Sequence, residues 1–221
     1  MINDPAAILL GAVNPATGVI HFYDEYYKTD QVLSQVAGAF KEMIKDIPQG
    51  MLHIPLIDPS SDKRSKTTGR TYKQQMQLEH GIVTKKAINN IEDGIQRVKN
   101  MMYDGKIMFF NSLVNTLREG CEYRYPTQEE RNKNKNLGEK PLDKNNHLMD
   151  CLRYICQELP YEYLDIKRLS YENYMQFFDK QQNERKIKET LSFSEMIDLI
   201  NKDNMYESVK NTNSYVGGYT I

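Results

Sequence analysis

The chain has 221 residues and a net charge of −1, so it is long enough for one α/β domain with an appendage and lacks the overall basic coat of a histone-like protein; a local basic groove stays compatible with that balance. No apolar run approaches the ~20 residues of a membrane span and no basic-then-apolar leader opens the chain, which predicts residence in a cytoplasm. Cys121, Cys151 and Cys156 are odd in number and lack C-x-x-C spacing, so they support neither a disulfide framework nor a zinc knuckle and read as small buried apolar residues; no G-x-x-x-x-G-K-[ST] phosphate loop occurs.

In chain order, Ala6 to Val13 is an apolar run, Asn14 to Gly18 supplies turn residues, and Val19 to Tyr27 reads as a second strand, together a β-hairpin. Asp24 and Glu25 close that strand in YDEYY, ordinarily a solvated end. From Gln31 to Ile47 the apolar positions Val32, Val36, Phe40, Ile44 and Ile47 mark an amphipathic helix, ended by Pro48-Gln49-Gly50. Met51 to Asp58 then reads as a strand of an α/β sheet, with Asp58 at its C-terminal end, either opening a D-P-S-S turn or facing the crevice where such sheets do chemistry. Ser60 to Tyr72 carries Lys63, Arg64, Lys66 and Arg70 among small polar residues, a mobile loop suited equally to a solvated linker and to tracking phosphates. A helix over Tyr72 to His80 with Gly81 as its cap leads to a short strand at Ile82-Val83. His53 and His80 have no partner at ligand spacing and read as structural. Helices over Asn89 to Met102 and Asn115 to Tyr125 flank an apolar strand at Lys106 to Phe110, and the charge-rich Pro126 to Lys140 is expected to be poorly ordered.

Lys140 to Pro160, KPLDKNNHLMDCLRYICQELP, organises the rest. Asn145 or Asn146 is placed to cap a helix whose inward side is Leu148, Leu152, Ile155 and Leu159, and Pro160 stops it. His147 and Asp150, at i and i+3, share one strip with Arg153, three residues further on. By spacing alone this is either the polar face of a surface helix or a site; Arg153 reads as a structural salt-bridge partner. Beyond Pro160, helices over 161–188 and 193–201 precede an Asn-, Ser- and Gly-rich tail.

The D-x-x-x-H-x-M-D-x-L-R-Y wording of this segment resembles the last motif of the nuclease domain in large terminase subunits of tailed bacteriophages, enzymes that cut concatemeric viral DNA during packaging. The hairpin block ending in DEYY, the I-D-P-S at Asp58 and the N-N-I-E-D-G-I helix follow in the family's order across residues 2 to 160. The resemblance implies an RNase H-like mixed β-sheet flanked by helices over 1–160 and a helical appendage with a flexible tail over 161–221. It implies Asp58 and Asp150 as ligands of Mg²⁺ or Mn²⁺ in a two-metal site, His147 beside them to position phosphate or water, Glu25 and Asp4 as groups supporting the ligands from behind, and Lys63, Arg64, Lys66 and Arg70 on double-stranded DNA. By resemblance the partners are an ATPase domain, a portal and a small terminase subunit in the bacterial host cytoplasm. The family's first strand, with its metal-binding Asp, precedes the loop in which this sequence starts; Asp4 matches the later Asp of the D-P pair. The expectations are therefore a sheet with a gap or a borrowed strand, and either an endonuclease or a catalytically incomplete assembly module of the same fold.

Overall fold

The computed structural model describes residues 4–159 apart from 15, 16, 49, 67 and 139, together with 179–180, 190–192 and 194–195. Strands β1 (Ala6–Val13) and β2 (Ile20–Lys28) form the expected antiparallel hairpin, from Ala6 opposite Lys28 to Val13 opposite Ile20. Strand β5 (Ile107–Phe110) runs parallel to β2 on its other side, setting Ile20 beside Ile107 and Phe22 beside Phe109, and β6 (Thr190–Leu191) adds antiparallel to β5. The order is β1-β2-β5-β6. A separate two-stranded parallel sheet pairs β3 (Leu56–Ile57) with β4 (Lys85–Lys86). The sheet is thus mixed and divided in two, and among the described residues β1 and β3 each pair on one side only.

The helices are α1 (Leu33–Ile44), α2 (Tyr72–His80), α3 (Ile91–Tyr103), α4 (Val114–Glu122), α5 (Gln128–Lys133) and α6 (His147–Glu158). The larger core gathers Leu9, Leu10, Ile20, Phe22, Ile107, Phe109 and Phe110 of the sheet with Met101, Leu117, Leu148, Leu152 and Cys156 of α3, α4 and α6. Phe22 and Phe109 stack at 5.4 Å across the parallel pair. Leu9 and Leu10 are consecutive and both buried, so β1 is covered on both faces, the pattern of an interior strand. A smaller core joins Ala37 and Phe40 of α1 to Met76 and Ile82, with Ile8 of β1 and Ile57 of β3 packed against it. It ties the two sheets together. No helix among the described residues is long and apolar enough to cross a membrane.

Several expectations need correction. The strand expected over 51–58 contracts to Leu56–Ile57, because its partner β4 is two residues long and pairing starts only where Lys85 N–H meets the Pro55 carbonyl (2.8 Å). The strand expected at 82–83 lies at 85–86 instead. Gly81 closes α2 at φ +70°, and the next amide, Ile82, bonds back to Met76 O at 3.0 Å, so the helix cap claims that backbone and turns Ile82 into the smaller core. The segment 126–140 holds a helix, α5, built on reciprocal bonds between Thr127 and Glu130 and fastened by Arg124, which grips both Glu130 oxygens at 2.7 Å. Cys121 is exposed rather than buried; Cys156 is buried as expected. The helices and tail expected beyond Pro160 lie outside the described residues, apart from short pieces that include β6.

Candidate active site

Asp58 leaves the end of β3 and begins a 3-10 turn over Pro59–Asp62, where its Oδ1 accepts a bond from Ser60 N–H at 2.6 Å. Its Oδ2 accepts from the Tyr154 hydroxyl at 2.5 Å, across 96 residues of sequence. Partial burial alone would raise its pKa, but the bonds from Ser60 and Tyr154 and the charge of Arg153 hold it below the ordinary Asp value.

Asp150, in the first turn of α6, accepts from Arg153 Nη2 at 2.8 Å. Its pKa is raised, first by burial; Arg153 opposes the shift, and the charges of Asp58 and Asp143 reinforce it. Asp58 and Asp150 therefore lie within electrostatic reach of each other and of one guanidinium, with their proton affinities displaced in opposite directions. Paired carboxylates split in this way are a signature of sites that do chemistry.

Arg153 is only 3% exposed. Its Nη2 also bonds Asn89 Oδ1 at 2.7 Å, Nη1 reaches Gln157 Oε1 at 3.4 Å, and the guanidinium lies 4.8 Å from the Tyr154 ring centre. Its salt bridge to Asp150 matches the structural role read from the sequence. The side chain passes directly over Gly94 of α3, where a Cβ would lie 2.5 Å from Arg153 Cγ. The glycine of the N-N-I-E-D-G-I helix is thus explained by the close crossing of α3 and α6.

The other expected site residues are placed as follows. His147, the first residue of α6, meets the ring of Tyr27 edge-on at 6.3 Å. Glu25 is bonded to the start of α4: its two oxygens accept from the backbone and side chain of Asn115 (2.7 and 3.0 Å) and of Thr116 (2.8 and 2.6 Å). Asp4 is exposed ahead of β1. Lys63, Arg64, Lys66 and Arg70 are exposed, but their segment is not the open loop expected: Arg64 and Thr71 pair as a bridge, Ser65 N–H bonds Arg70 O at 2.8 Å, and a hairpin turn results. Arg70 approaches Glu79 at 3.5 Å.

Sequence reasoning missed Tyr154 and Glu119. Tyr154 stands four residues after Asp150, on the same helix face, a spacing that could have signalled it. Glu119 is fully buried and its Oε2 accepts from the Leu148 and Met149 amides at 2.6 and 3.4 Å. Of Asn145 and Asn146, the two expected caps of α6, Asn146 occupies the cap position, but its side chain makes no cap bond; Glu119 supplies it.

The donor set suits a hard divalent ion, since carboxylate oxygens are the ligands Mg²⁺ and Mn²⁺ prefer and the Asp58–Asp150 repulsion is what a cation would relieve. One ion held by two carboxylates and water fits this chemistry. No group of three or more His, Cys, Asp or Glu side chains suited to a metal ion is found among the described residues.

No protein-family model matches the chain, and no curated protein matches it significantly. Solved structures do. The large terminase of a thermophilic bacteriophage, in complex with ADP, superposes with a TM-score of 0.59 at 20% identity over 71% of this chain, which spans only 37% of that protein. The manganese-bound large-terminase nuclease domain of bacteriophage SPP1 gives 0.50 at 20% identity, covering 71% of this chain and 80% of the domain. The nuclease domain of the P22 large terminase gives 0.50 at 20% identity, covering 69% and 73%. The mixed sheet flanked by helices is the fold of terminase nuclease domains.

Proposed function

We propose that the chain is the metal-dependent endonuclease domain of a phage terminase large subunit, cutting concatemeric viral DNA during packaging. The observation that carries the reading is the bond from the Tyr154 hydroxyl to Asp58, which joins a strand-end carboxylate to the helix that carries Asp150, inside the fold of terminase nucleases. Residues 1–160 form the nuclease unit in this reading and 161–221 the appendage, which lends β6 to the sheet.

Asp58 and Asp150 would hold Mg²⁺ or Mn²⁺, the latter being the metal bound in the SPP1 domain. A bound divalent ion supplies Lewis-acid stabilisation of charge on phosphate oxygens and eases deprotonation of an attacking water. The chain's own residues prepare the place. Ser60 and Tyr154 keep Asp58 ionised and aimed, and Arg153, locked by Asn89, fixes the rotamer of Asp150. His147, one helical turn before Asp150, positions phosphate or water, and Lys63, Arg64, Lys66 and Arg70 contact the DNA backbone without reading sequence. The ATPase domain, portal and small terminase subunit are the partners this reading implies.

A second reading, a catalytically incomplete assembly module, is favoured by the divided sheet and by the lack, among the described residues, of a group of three or more side chains suited to a metal ion. A plasmid-cleavage assay with Mn²⁺ on residues 1–221 decides between them. Weak cleavage that Asp58→Asn and Asp150→Asn each abolish supports the nuclease; nicking unchanged by Asp58→Asn rejects the site, and a complete lack of cleavage by a chain that still takes up Mn²⁺ favours the assembly module.

A further inference from the structure

Helices α4 and α6 begin without a capping side chain of their own. At α4 the cap position is Leu113, which has no group to offer, and at α6 the side chain of Asn146 makes no cap bond. In each case a carboxylate from an earlier element fills the role: Glu25 of β2 holds the first turn of α4, and Glu119 of α4 holds the first turn of α6. Each negative charge meets the positive end of a helix dipole, and Glu119 does so fully out of water, where that interaction is least screened. The opposite end of α6 is held by Arg97, which donates to the carbonyls of Cys156 and Leu159. Helix α6 is thus clamped at both ends by charges of the matching sign.

We infer that Glu119 is a positioning residue of the Asp58–Asp150 site. The first turn it grips carries Asp150, and one turn further α6 presents Tyr154, the hydroxyl that holds Asp58. A shift or fraying at the start of α6 therefore displaces both carboxylates together. Tyr27 packs beside this anchor, its pKa raised first by burial and then by Glu119, and the same ring meets His147. Tyr27 thereby touches both Glu119 and His147, the residue that opens α6. The inference rests on the metal-dependent reading above.

The test uses the 221-residue chain and measures the Mn²⁺ dissociation constant by titration calorimetry on folded protein, with amide exchange at Leu148 and Met149. Glu119→Ala should weaken Mn²⁺ binding ~10-fold, the cost typical of losing a group that orients a ligand, and speed exchange at those two amides. Glu119→Gln, whose amide oxygen still accepts from Leu148, should recover most of both. Glu119→Asp, which keeps the charge but withdraws it by a methylene, carries the test if the alanine variant does not fold, and should weaken Mn²⁺ severalfold. A purely structural Glu119 would lower the unfolding midpoint while leaving the dissociation constant of every folded variant at the wild-type value, and that result overturns the inference. Asp58→Asn, measured alongside, separates the two claims: if it abolishes Mn²⁺ binding while the Glu119 variants bind normally, the site stands and Glu119 falls. Absence of Mn²⁺ uptake by the wild type overturns both.

Discussion

Gly94→Ala inserts a single methyl group at the α3–α6 crossing, and the structure fixes what it meets. The new Cβ would lie 2.5 and 2.6 Å from Arg153 Cγ and Cδ and 2.8 Å from Gln157 Cδ. The first two are mid-chain atoms of an arginine that is 3% exposed and tied at its far end to Asn89 and Asp150, so that side chain cannot swing aside without breaking those bonds. Overpacking of this kind costs ~1–3 kcal/mol and loss of a charged hydrogen bond a further ~1.5–3, whereas alanine returns about 1 kcal/mol of helix propensity; the net expectation is a loss of ~3 kcal/mol. Gly38 of α1 is the internal control, since a Cβ there has nothing within 4 Å, and Gly38→Ala should stabilise by ~0.5–1 kcal/mol. Urea unfolding of both variants reads the difference, and Mn²⁺ titration of Gly94→Ala should show weakened binding as Arg153 releases Asp150. A Gly94→Ala protein as stable as the wild type would show that α3 and α6 are not held at this separation, and the account of how Asp150 is oriented would fail.

His147→Ala should reduce Mn²⁺-dependent nicking less than Asp150→Asn does, because His147 is not proposed as an obligatory ligand; an equal loss in plasmid assays would make it one. His21 on β2 has its pKa lowered to about 4 by burial, below the unfolded value of about 6.5. The depressed value means the unfolded chain takes up the proton first, so the stability this group contributes is present above pH ~6.5 and is lost as pH falls toward 4. Urea midpoints for His21→Gln should fall less steeply than those of the wild type across that window; parallel profiles would refute the burial effect. Replacing Lys63, Arg64, Lys66 and Arg70 together by alanine should weaken DNA binding equally for all sequences and flatten the dependence of log K on log salt by up to ~3.6 units, at ~0.9 per phosphate contact. An unchanged slope in a salt series would remove the hairpin from the interface.

Features that depend on neighbours along the chain were legible before folding. The β1–β2 hairpin follows from two strand-forming runs around an Asn-to-Gly turn, and the C-terminal end of α2 follows from Gly81, because turns and caps are local backbone chemistry. The i,i+3 placement of His147, Asp150 and Arg153 was legible for the same reason, as helix geometry fixes it. The motif α5 is built on, Thr127-x-x-Glu130, was equally local, yet the high charge of its surroundings masked it. The fold alone brings Asp58 to the helix that carries Asp150, since Tyr154 reaches Asp58 across 96 residues and no periodicity encodes that distance. It also decided where the strands pair: 51–58 is apolar enough for a long strand, but β4 offers two residues of backbone to bond to, and a strand is only as long as its partner. The caps of α4 and α6 were invisible for a related reason. Each comes from a distant carboxylate, Glu25 through bonds to Asn115 and Thr116 that span 90 and 91 residues and Glu119 through a bond to Leu148 that spans 29, so the local sequence shows only an uncapped helix start that the fold then completes.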